Sequence, residues 1–339
     1  MANILVTGGC GYIGSHVVSL LNEKKHQQVI IDNFSTGNRK NITPGVEYLE
    51  EDIGNVKFID YILRKYNFEI IIHLAAKTSV EESIKHPDLY HQENLINTIS
   101  LINTAQKYNV KNFIFASTAA VYCNNNDYKI DEDGYINPIS PYGKSKYKAE
   151  LYLYEFCQKN YINCIIFRYF NVAGQHKKYT SYFNPPQKNT LIQKSIINLL
   201  SGYPFIINGN DYDTQDGTCV RDYVHIMDVA NAHINAINCL ERSTKLISDR
   251  FNIGSGVGNS VFDIYKKMSH LVSTDINYSI GPRRKGDIVF SVANTKRIIE
   301  KLGWKSMYGD NPIDQILRSE FLSHKYLFPN SKIGLIDEK

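Results

Sequence analysis

Short apolar runs alternate with helical patterns through the first 170 residues, and this alternation restricts the folds open to the chain. Six runs, at 3–7, 28–32, 46–50, 69–75, 112–117 and 163–169, are rich in Ile, Val and Phe without strict polar alternation. Such runs are typical of strands covered on both faces. Helical patterns at 12–24, 56–66, 87–108 and 141–159 separate them. The pattern predicts an α/β fold with a Rossmann-type, doubly wound parallel sheet.

A glycine-rich turn joins the first predicted strand to the first predicted helix. Gly8, Gly11 and Gly14 have the spacing Gly-x-x-Gly-x-x-Gly. Glycines there let the backbone approach a pyrophosphate, and the helix N-terminus supplies N–H donors. Asp32 ends the second strand, where a carboxylate accepts hydrogen bonds from an adenosine ribose and would repel the 2′-phosphate of NADP. We predict an NAD site; taken alone, the glycines also suit a turn without a ligand.

The regular alternation ends near residue 174. A polar stretch with Pro and Tyr follows at 175–190, and the elements after it are shorter. The chain of 339 residues is long enough for two domains or for one large α/β unit. We predict an NAD-binding Rossmann domain over 1–173, onto which a segment around 222–240 packs back. Most of 174–339 is predicted to form a smaller substrate-binding lobe.

Charge and cysteine content argue against several classes of protein. Lys and Arg total 38 and Asp and Glu 34, without a block of like charges, so we do not expect nucleic acid as the main partner. The six cysteines are scattered without a Cys-x-x-Cys pair or a zinc-ligand spacing of histidines. This indicates reduced thiols in a cytoplasmic protein and predicts no metal site. No stretch approaches the ~18 apolar residues of a membrane span, so no membrane partner is expected.

Two reactive side chains lie at the start of the last of these helices. Tyr142 and Lys146 are four residues apart and share one helix face. An ammonium near a phenol, with a positively charged nicotinamide beyond it, would lower the tyrosine pKa from about 10 and suit the pair to proton transfer. The alternative is an ordinary amphipathic helix that begins at Pro141. Thr118, at the carboxyl end of the fifth strand, lies at the sheet edge where open α/β folds bind ligands, and favours the reactive interpretation.

These motifs together resemble the extended short-chain dehydrogenase/reductase superfamily. They are the glycine turn, LAA at 74–76, STAAVY at 117–122 and YGKSK at 142–146. Further segments, at 168–176, 208–233, 256–261 and 282–287, are similar to UDP-glucose/UDP-galactose 4-epimerases. The most specific is DGTCVRDYVHIMD at 216–228, and the resemblance extends from Met1 to about Trp304.

The resemblance implies 4-epimerisation of a UDP-hexose with tightly held NAD and no net oxidation. In that family a tyrosinate takes the O4 proton while C4 gives its hydride to NAD. The 4-keto sugar then rotates and takes the hydride back on its other face. Carried to this sequence, Tyr142 would be the acid/base, Thr118 would share the proton path, and Lys146 would bind the nicotinamide ribose and tune the tyrosine.

The resemblance also implies the other site residues. The NAD site would contain Gly8, Gly11, Tyr12, Ile13, Gly14, Asp32, Asn33, Asp52, Ile53, Ala75, Ala76, Asn94, Lys146 and Tyr169. The substrate site would contain Thr118, Tyr142, Asn171, Leu191, Arg221, Arg284, Asp287 and Ser291. The two arginines would neutralise the diphosphate, since a guanidinium bonds phosphate oxygens in a fork, and Asp287 would hold the uridine ribose. Without the motif match, an isolated Arg or Asp would be interpreted as an ordinary surface charge. We interpret three further polar residues, His73, His225 and Asp228, as structural.

Ser291 bears on which sugar is accepted. In the family, the residue four places after the motif's Asp gates the sugar pocket, and a small residue there leaves room for an N-acetyl group at C2. We therefore expect activity on UDP-GlcNAc and UDP-GalNAc as well. The chain departs from its relatives at Cys123, at 189–193 and in the loop 177–188, which puts substrate contacts from that loop in question.

Alternative functions and the oligomeric state stay open at this point. A 4,6-dehydratase needs a carboxylate pair where Ala119 and Ala120 follow Thr118. A UDP-glucuronate or UDP-pentose 4-epimerase, or a non-catalytic NAD-binding module, would share the fold. The resemblance suggests a homodimer through the helices 87–108 and 141–159. Four apolar residues there would pack across the two-fold axis or belong to the core: Leu101, Ile102, Tyr152 and Phe156.

Overall fold

The computed structural model describes residues 2–123, 129–176, 190–272, 274–284, 286–309 and 311–336. The predicted loop 177–188 lies outside the described residues, as does Asn189 of the atypical stretch. The strands are β1 (Asn3–Thr7), β2 (Gln27–Asp32), β3 (Glu47–Glu50), β4 (Ile70–His73), β5 (Asn112–Thr118), β6 (Asn163–Tyr169), β7 (Asn171–Ala173), β8 (Phe205–Asn208), β9 (Val220–His225), β10 (Ser248–Ile253), β11 (Gly258–Ser260), β12 (Tyr278–Gly281) and β13 (Phe290–Ser291). The α-helices are α1 (Tyr12–Glu23), α2 (Val56–Tyr66), α3 (Val80–Lys85), α4 (Pro87–His91), α5 (Asn97–Lys107), α6 (Pro141–Asn160), α7 (Leu191–Leu200), α8 (Ile226–Arg242), α9 (Val261–Leu271), α10 (Lys296–Leu302) and α11 (Ile313–Lys325).

Seven parallel strands form the central sheet, in the order β10-β6-β5-β4-β1-β2-β3. All six predicted strands belong to it, so the Rossmann-type, doubly wound fold is confirmed. The strand order reverses between β1 and β4. In open parallel sheets, ligands bind beyond the carboxyl ends of the strands at such a switch point.

The sheet is buried on both faces because successive strand side chains point to opposite sides. Ile4 and Val6 pack in one core cluster with α1, α8 and α10, whereas Leu5 packs in another with α2, α5 and α6. This explains the continuous apolar runs in the sequence, since each side chain of such a strand meets a helix layer.

Segments from the second half of the chain complete this unit. Helix α8 packs beside α1 in one of the two core clusters, and β10 extends the sheet by pairing with β6. The domain boundary at residue 173 stays a prediction. The smaller lobe contains α7, α9 and α11 around a third core cluster, the short β8–β12 pair, and a small sheet in which β9 pairs with β7, β11 and β13.

Two local predictions differ from the structure near the switch point. The fourth predicted strand, 69–75, ends at His73, which frees Leu74 and the alanines after it to form the sheet edge. The single helix predicted over 87–108 is divided into α4, a π-helical segment at Gln92–Ile96, and α5. π-Helical insertions are common at functional sites, and this one contains Asn94.

Candidate functional site

A cavity of about 430 Å³ lies at the carboxyl edge of the sheet, over the switch point. Most of the predicted NAD-site residues line it, together with the predicted reactive residues: Gly8, Gly11, Tyr12, Ile13, Gly14, Asp32, Asn33, Asp52, Ile53, Ala75, Ala76, Thr118, Tyr142, Lys146 and Tyr169. The sequence reasoning did not assign several other lining residues, among them Lys77, Glu93, Phe170, Val172 and Thr190. These residues come from separate segments of the chain, which only the folded structure brings together around the cavity.

The glycine turn is packed so closely that side chains are excluded. A Cβ atom at Gly8, whose φ is +73°, would lie 2.6 Å from the Ala75 backbone nitrogen. One at Gly14 would lie 2.2 Å from the Gly8 carbonyl oxygen. Helix α1 begins directly after the turn at Tyr12, without a side-chain cap on its first N–H groups. The turn therefore offers backbone donors to a pyrophosphate, as an NAD cradle requires.

Carboxylates at the ends of β2 and β3 form the adenosine side of the cavity. Asp32 accepts hydrogen bonds from the backbone nitrogens of Cys10 and Phe34, both at 2.8 Å, and burial raises its pKa. Its oxygens keep further lone pairs for ribose hydroxyls. The side-chain amide of Asn33 donates to Asp52 at 2.5 Å. These residues fit the ribose and adenine of NAD.

The reactive residues come together where α6 meets the end of β5. Ser140 caps the helix by accepting the Gly143 N–H at 3.0 Å, and Pro141 occupies the first turn. This start places Tyr142 in the same cavity wall as Thr118. Tyr142 and Lys146 are 8% and 2% exposed. Only a small part of either side chain is therefore accessible to solvent.

Burial dominates the pKa values of the pair. Burial raises the pKa of Tyr142 to about 12, although the Thr118 hydroxyl acts in the opposite direction and lowers it. Burial also lowers the pKa of Lys146 to about 7, although the charge of Glu150 acts in the opposite direction and raises it. At neutral pH the Lys146 amine is therefore only partly protonated. The predicted lowering of the tyrosine pKa is not achieved by these side chains alone and requires further positive charge at the site.

A buried ion pair next to the reactive residues was not predicted. Glu150, one turn after Lys146, accepts hydrogen bonds from Arg168 at 2.6 and 3.1 Å and from the Ser117 hydroxyl. Arg168 also donates to the Tyr122 hydroxyl at 2.8 Å. The pair fixes α6 against β5 and β6. Its only signal in the sequence is that Glu150 continues the four-residue spacing of Tyr142 and Lys146.

Asn94 does not line the cavity, although the resemblance placed it in the NAD site. It is fully buried, and its side chain accepts from the Lys77 nitrogen at 2.8 Å and donates to the Lys77 oxygen at 2.9 Å. It also donates to the Ser145 hydroxyl at 3.1 Å. In the structure Asn94 holds cavity-lining backbone and helix α6 together.

A second buried carboxyl connects the glycine turn to the smaller lobe. The Tyr12 hydroxyl donates to the Gly174 carbonyl at 2.5 Å. The Gly174 nitrogen donates to Glu320 of α11 at 2.9 Å, and the Gln193 amide donates to the same oxygen at 3.2 Å. Burial raises the pKa of Glu320 to about 7. No sequence pattern indicated Glu320, because this residue lies far along the chain from its partners.

Six of the eight predicted substrate residues lie in the smaller lobe, outside the 430 Å³ cavity, whereas Thr118 and Tyr142 line it. Arg221 bonds Asp287 at 3.3 Å and is the register neighbour of Ser291 across the β9–β13 pair. When the side-chain amide of Asn208 is placed with its oxygen towards Arg284, that oxygen accepts hydrogen bonds from the guanidinium at 3.0 and 3.3 Å. Asn171 is exposed on β7, and Leu191 begins α7 against the lobe core. The structure thus groups Arg221, Asp287 and Ser291, and it pairs Asn171 with Tyr223 of the strand that contains Arg221.

His225 and Asp228, interpreted as structural, both have intramolecular partners. The His225 ring lies 3.9 Å from that of Tyr308, between centroids, and its Nδ1 accepts from the Met227 nitrogen at 3.2 Å. Asp228 accepts from the Met307 nitrogen and the Ser306 hydroxyl.

Within the described parts of the chain, none of the helices has the length and apolar character needed to cross a lipid bilayer.

The sequence and the fold are similar to those of nucleotide-sugar epimerases. A UDP-glucose 4-epimerase of Lactobacillus helveticus is 35% identical over 323 residues, which cover 95% of this chain and 97% of that protein. The crystal structure of a Stenotrophomonas maltophila UDP-glucose-4-epimerase with bound NAD and formylated UDP-arabinopyranose has a TM-score of 0.90 at 28% identity, and the match covers 96% of this chain and 99% of the other. The Campylobacter jejuni UDP-Glc/GlcNAc 4-epimerase has a TM-score of 0.82 at 33% identity, covering 96% and 100%. Residues 4–254 match the model of the NAD dependent epimerase/dehydratase family, and the chain belongs to that family.

Proposed function

We propose that this protein is a UDP-hexose 4-epimerase that uses NAD and interconverts UDP-glucose with UDP-galactose. The observation that carries the proposal is the position of Thr118 and Tyr142, which line the same cavity as the glycine turn. The similarity to UDP-glucose 4-epimerases over nearly the whole chain supports the same reaction.

The side chains of the pair suit reversible proton transfer. Tyr142 takes the O4 proton of the sugar and later returns it, with the Thr118 hydroxyl shortening the path. Bound NAD would supply the acceptor for the C4 hydride and a positive charge near the phenol. Lys146 holds the nicotinamide ribose and, when protonated, stabilises the phenolate. Because the pair is buried, the proton stays in the site between the two half-reactions.

The glycine turn, Asp32 and the Asn33–Asp52 pair bind the cofactor in this proposal. The nucleotide sugar is held from the smaller lobe, where Arg221 and Arg284 neutralise the diphosphate and Asp287 bonds the uridine ribose. Arg221 is 14% exposed in its side chain and Asp287 is 27% exposed, so both remain accessible to a ligand.

The small residue at position 291 extends the proposal to N-acetylated sugars. Ser291 is 5% exposed and follows Phe290 in β13, beside Arg221. A serine leaves space that a large side chain would fill. The similar Campylobacter jejuni enzyme is described as a UDP-Glc/GlcNAc 4-epimerase. We therefore include UDP-GlcNAc and UDP-GalNAc among the substrates.

The test of the proposed function is an assay of the purified protein without added NAD. UDP-glucose, UDP-galactose, UDP-GlcNAc and UDP-GalNAc are incubated separately, and the epimers are resolved by chromatography. We expect each sugar to give a mixture with its 4-epimer and no net NADH. UDP-glucuronate is assayed in parallel. Conversion of that sugar alone, or of none, would refute the proposal.

The proposal includes a homodimer in the cytoplasm. Leu101 and Ile102 are 0% and 1% exposed in the core of the subunit, so the core alternative holds for them. Other apolar side chains on the same pair of helices are exposed: Ile96 at 39% and Leu151 at 41%. A second copy packed across these helices would cover them. All six cysteines are free thiols, which supports a reducing compartment.

Sedimentation equilibrium tests the dimer. We expect twice the 38.8 kDa chain mass for the wild type. Leu151→Glu places charges in the proposed interface and should give monomers. Tyr61→Glu is the matched control, because Tyr61 is 48% exposed on α2, outside these helices. A wild-type monomer, or equal dissociation of both variants, would contradict the proposed interface.

A further inference from the structure

A buried histidine lies beneath the cofactor cavity with both ring nitrogens hydrogen-bonded. His73, the last residue of β4, is 1% exposed. Its Nδ1 is 2.7 Å from the Thr7 hydroxyl, and its Nε2 is 2.8 Å from the Thr98 hydroxyl. Burial and the nearby Lys146 lower its pKa to about 3, so the ring is neutral near pH 7. None of these three residues lines the cavity.

The direction of each hydrogen bond follows from the number of protons available. The Thr98 hydroxyl is 2.8 Å from the Asn94 carbonyl, which can only accept, so its single proton goes there. Thr98 must then accept from Nε2–H of His73. The Nδ1 atom, which has no proton in this tautomer, accepts from the Thr7 hydroxyl. Thr7 in turn accepts the Ala75 N–H at 3.4 Å.

The opposite tautomer does not satisfy the same groups. With the proton on Nδ1, Thr98 would have to donate to Nε2 and would lose its bond to the Asn94 carbonyl. Thr7 would accept from the ring and could no longer donate to it. A buried polar group that loses its partner costs about 1–3 kcal/mol, so the surroundings select Nε2–H.

Both ends of this chain of bonds reach the reaction site. At one end, Ala75 lines the cavity and packs against Gly8. At the other, Asn94 bonds the backbone of Lys77 and the Ser145 hydroxyl, and Ser145 donates to the Tyr142 carbonyl at 2.8 Å. The bonds thus connect β1, β4, the π-helical segment and α6.

We propose that His73 is a positioning residue for the epimerase reaction: as the Nε2–H tautomer, it ties β1 and β4 to the π-helical segment that holds Tyr142. This assignment rests on the proposed function for its catalytic consequence, whereas the tautomer and the tie belong to the chain itself. Without the tie, one of the connections that hold the cavity-lining backbone at 75–77 and the reactive tyrosine at a fixed separation is lost.

Thr98→Val and Thr98→Ser form a matched pair for the test. Valine has nearly the shape of threonine but leaves His73 Nε2–H without its acceptor and removes the hydroxyl that donates to the Asn94 carbonyl. Serine keeps the hydroxyl. We expect Thr98→Val to retain less NAD through gel filtration and to lose roughly 10- to 100-fold in kcat, as misplacement by about 1 Å can cause. Thr98→Ser should restore both properties to within about twofold.

The tautomer is measured separately on the wild-type protein by NMR of ¹⁵N-histidine. The signal of His73, identified as the one that moves in Thr98→Ser, should show Nε2–H and no titration between pH 5 and pH 8. An Nδ1–H or charged ring would overturn the proposal. So would Thr98→Val with wild-type NAD retention and kcat. If the wild type lacks epimerase activity, the proposed function fails, while the tautomer and NAD retention still decide this inference.

Discussion

Tyr142→Phe should lower the turnover of UDP-galactose by about 100- to 10,000-fold, the range that one acid/base group contributes. The substitution removes only the phenolic hydroxyl, which the Thr118 hydroxyl influences. The ring remains, including its edge-on contact with Tyr90 at a centroid distance of 6.2 Å. Packing and the cofactor cradle should therefore be unchanged. The measurement is the initial rate of epimer formation, with NAD content determined on the denatured protein.

Tyr152→Phe is the matched control for this prediction. Tyr152 lies on the same helix, but its hydroxyl donates to Asn103 at 2.8 Å, and it does not line the cavity. We expect that variant to retain near-normal turnover. A Tyr142→Phe protein that keeps a third or more of wild-type turnover would contradict the acid/base role. If the Tyr142 variant lost NAD as well, the role would be structural instead.

Ser291→Tyr should abolish activity on the N-acetylated pair while sparing UDP-glucose and UDP-galactose. Ser291 is almost completely buried and is fixed beside Arg221 by strand pairing. A tyrosine ring there must project into the space proposed for the C2 substituent. A mismatch of one methylene group in a pocket is worth about 1–3 kcal/mol, so excluding the larger acetyl group should give a selective loss of at least roughly 10- to 200-fold. The measurement is kcat/KM for all four sugars.

Ser291→Ala is the control, because it removes the hydroxyl without adding volume. We expect it to keep both activities. The gating idea fails if the wild type does not convert the acetylated pair, or if Ser291→Tyr converts it as well as the wild type does. Equal losses on both pairs would show that the tyrosine disturbs Arg221 and the diphosphate site instead of the sugar pocket.

Local patterns in the sequence were sufficient to predict the Rossmann unit and many of the residues that line the cavity. Strand β6 and helix α2 have the predicted bounds, because period and capping residues are local properties of the chain. The glycine turn, Asp32 and Tyr142 were predicted for the same reason. Each lies at a strand end or helix start, and those ends converge at one sheet edge in any parallel α/β fold.

The sequence by itself therefore determined the fold class, the glycine cradle and the spacing of Tyr142 and Lys146 on one helix face. Only the tertiary structure decided the addition of β10 to the sheet, the Glu150–Arg168 pair and the bonds of His73. It also decided that burial sets the pKa values of the reactive pair. The reason is that pairing, burial and hydrogen-bond direction depend on residues far apart in the chain, which periodicity and spacing do not record.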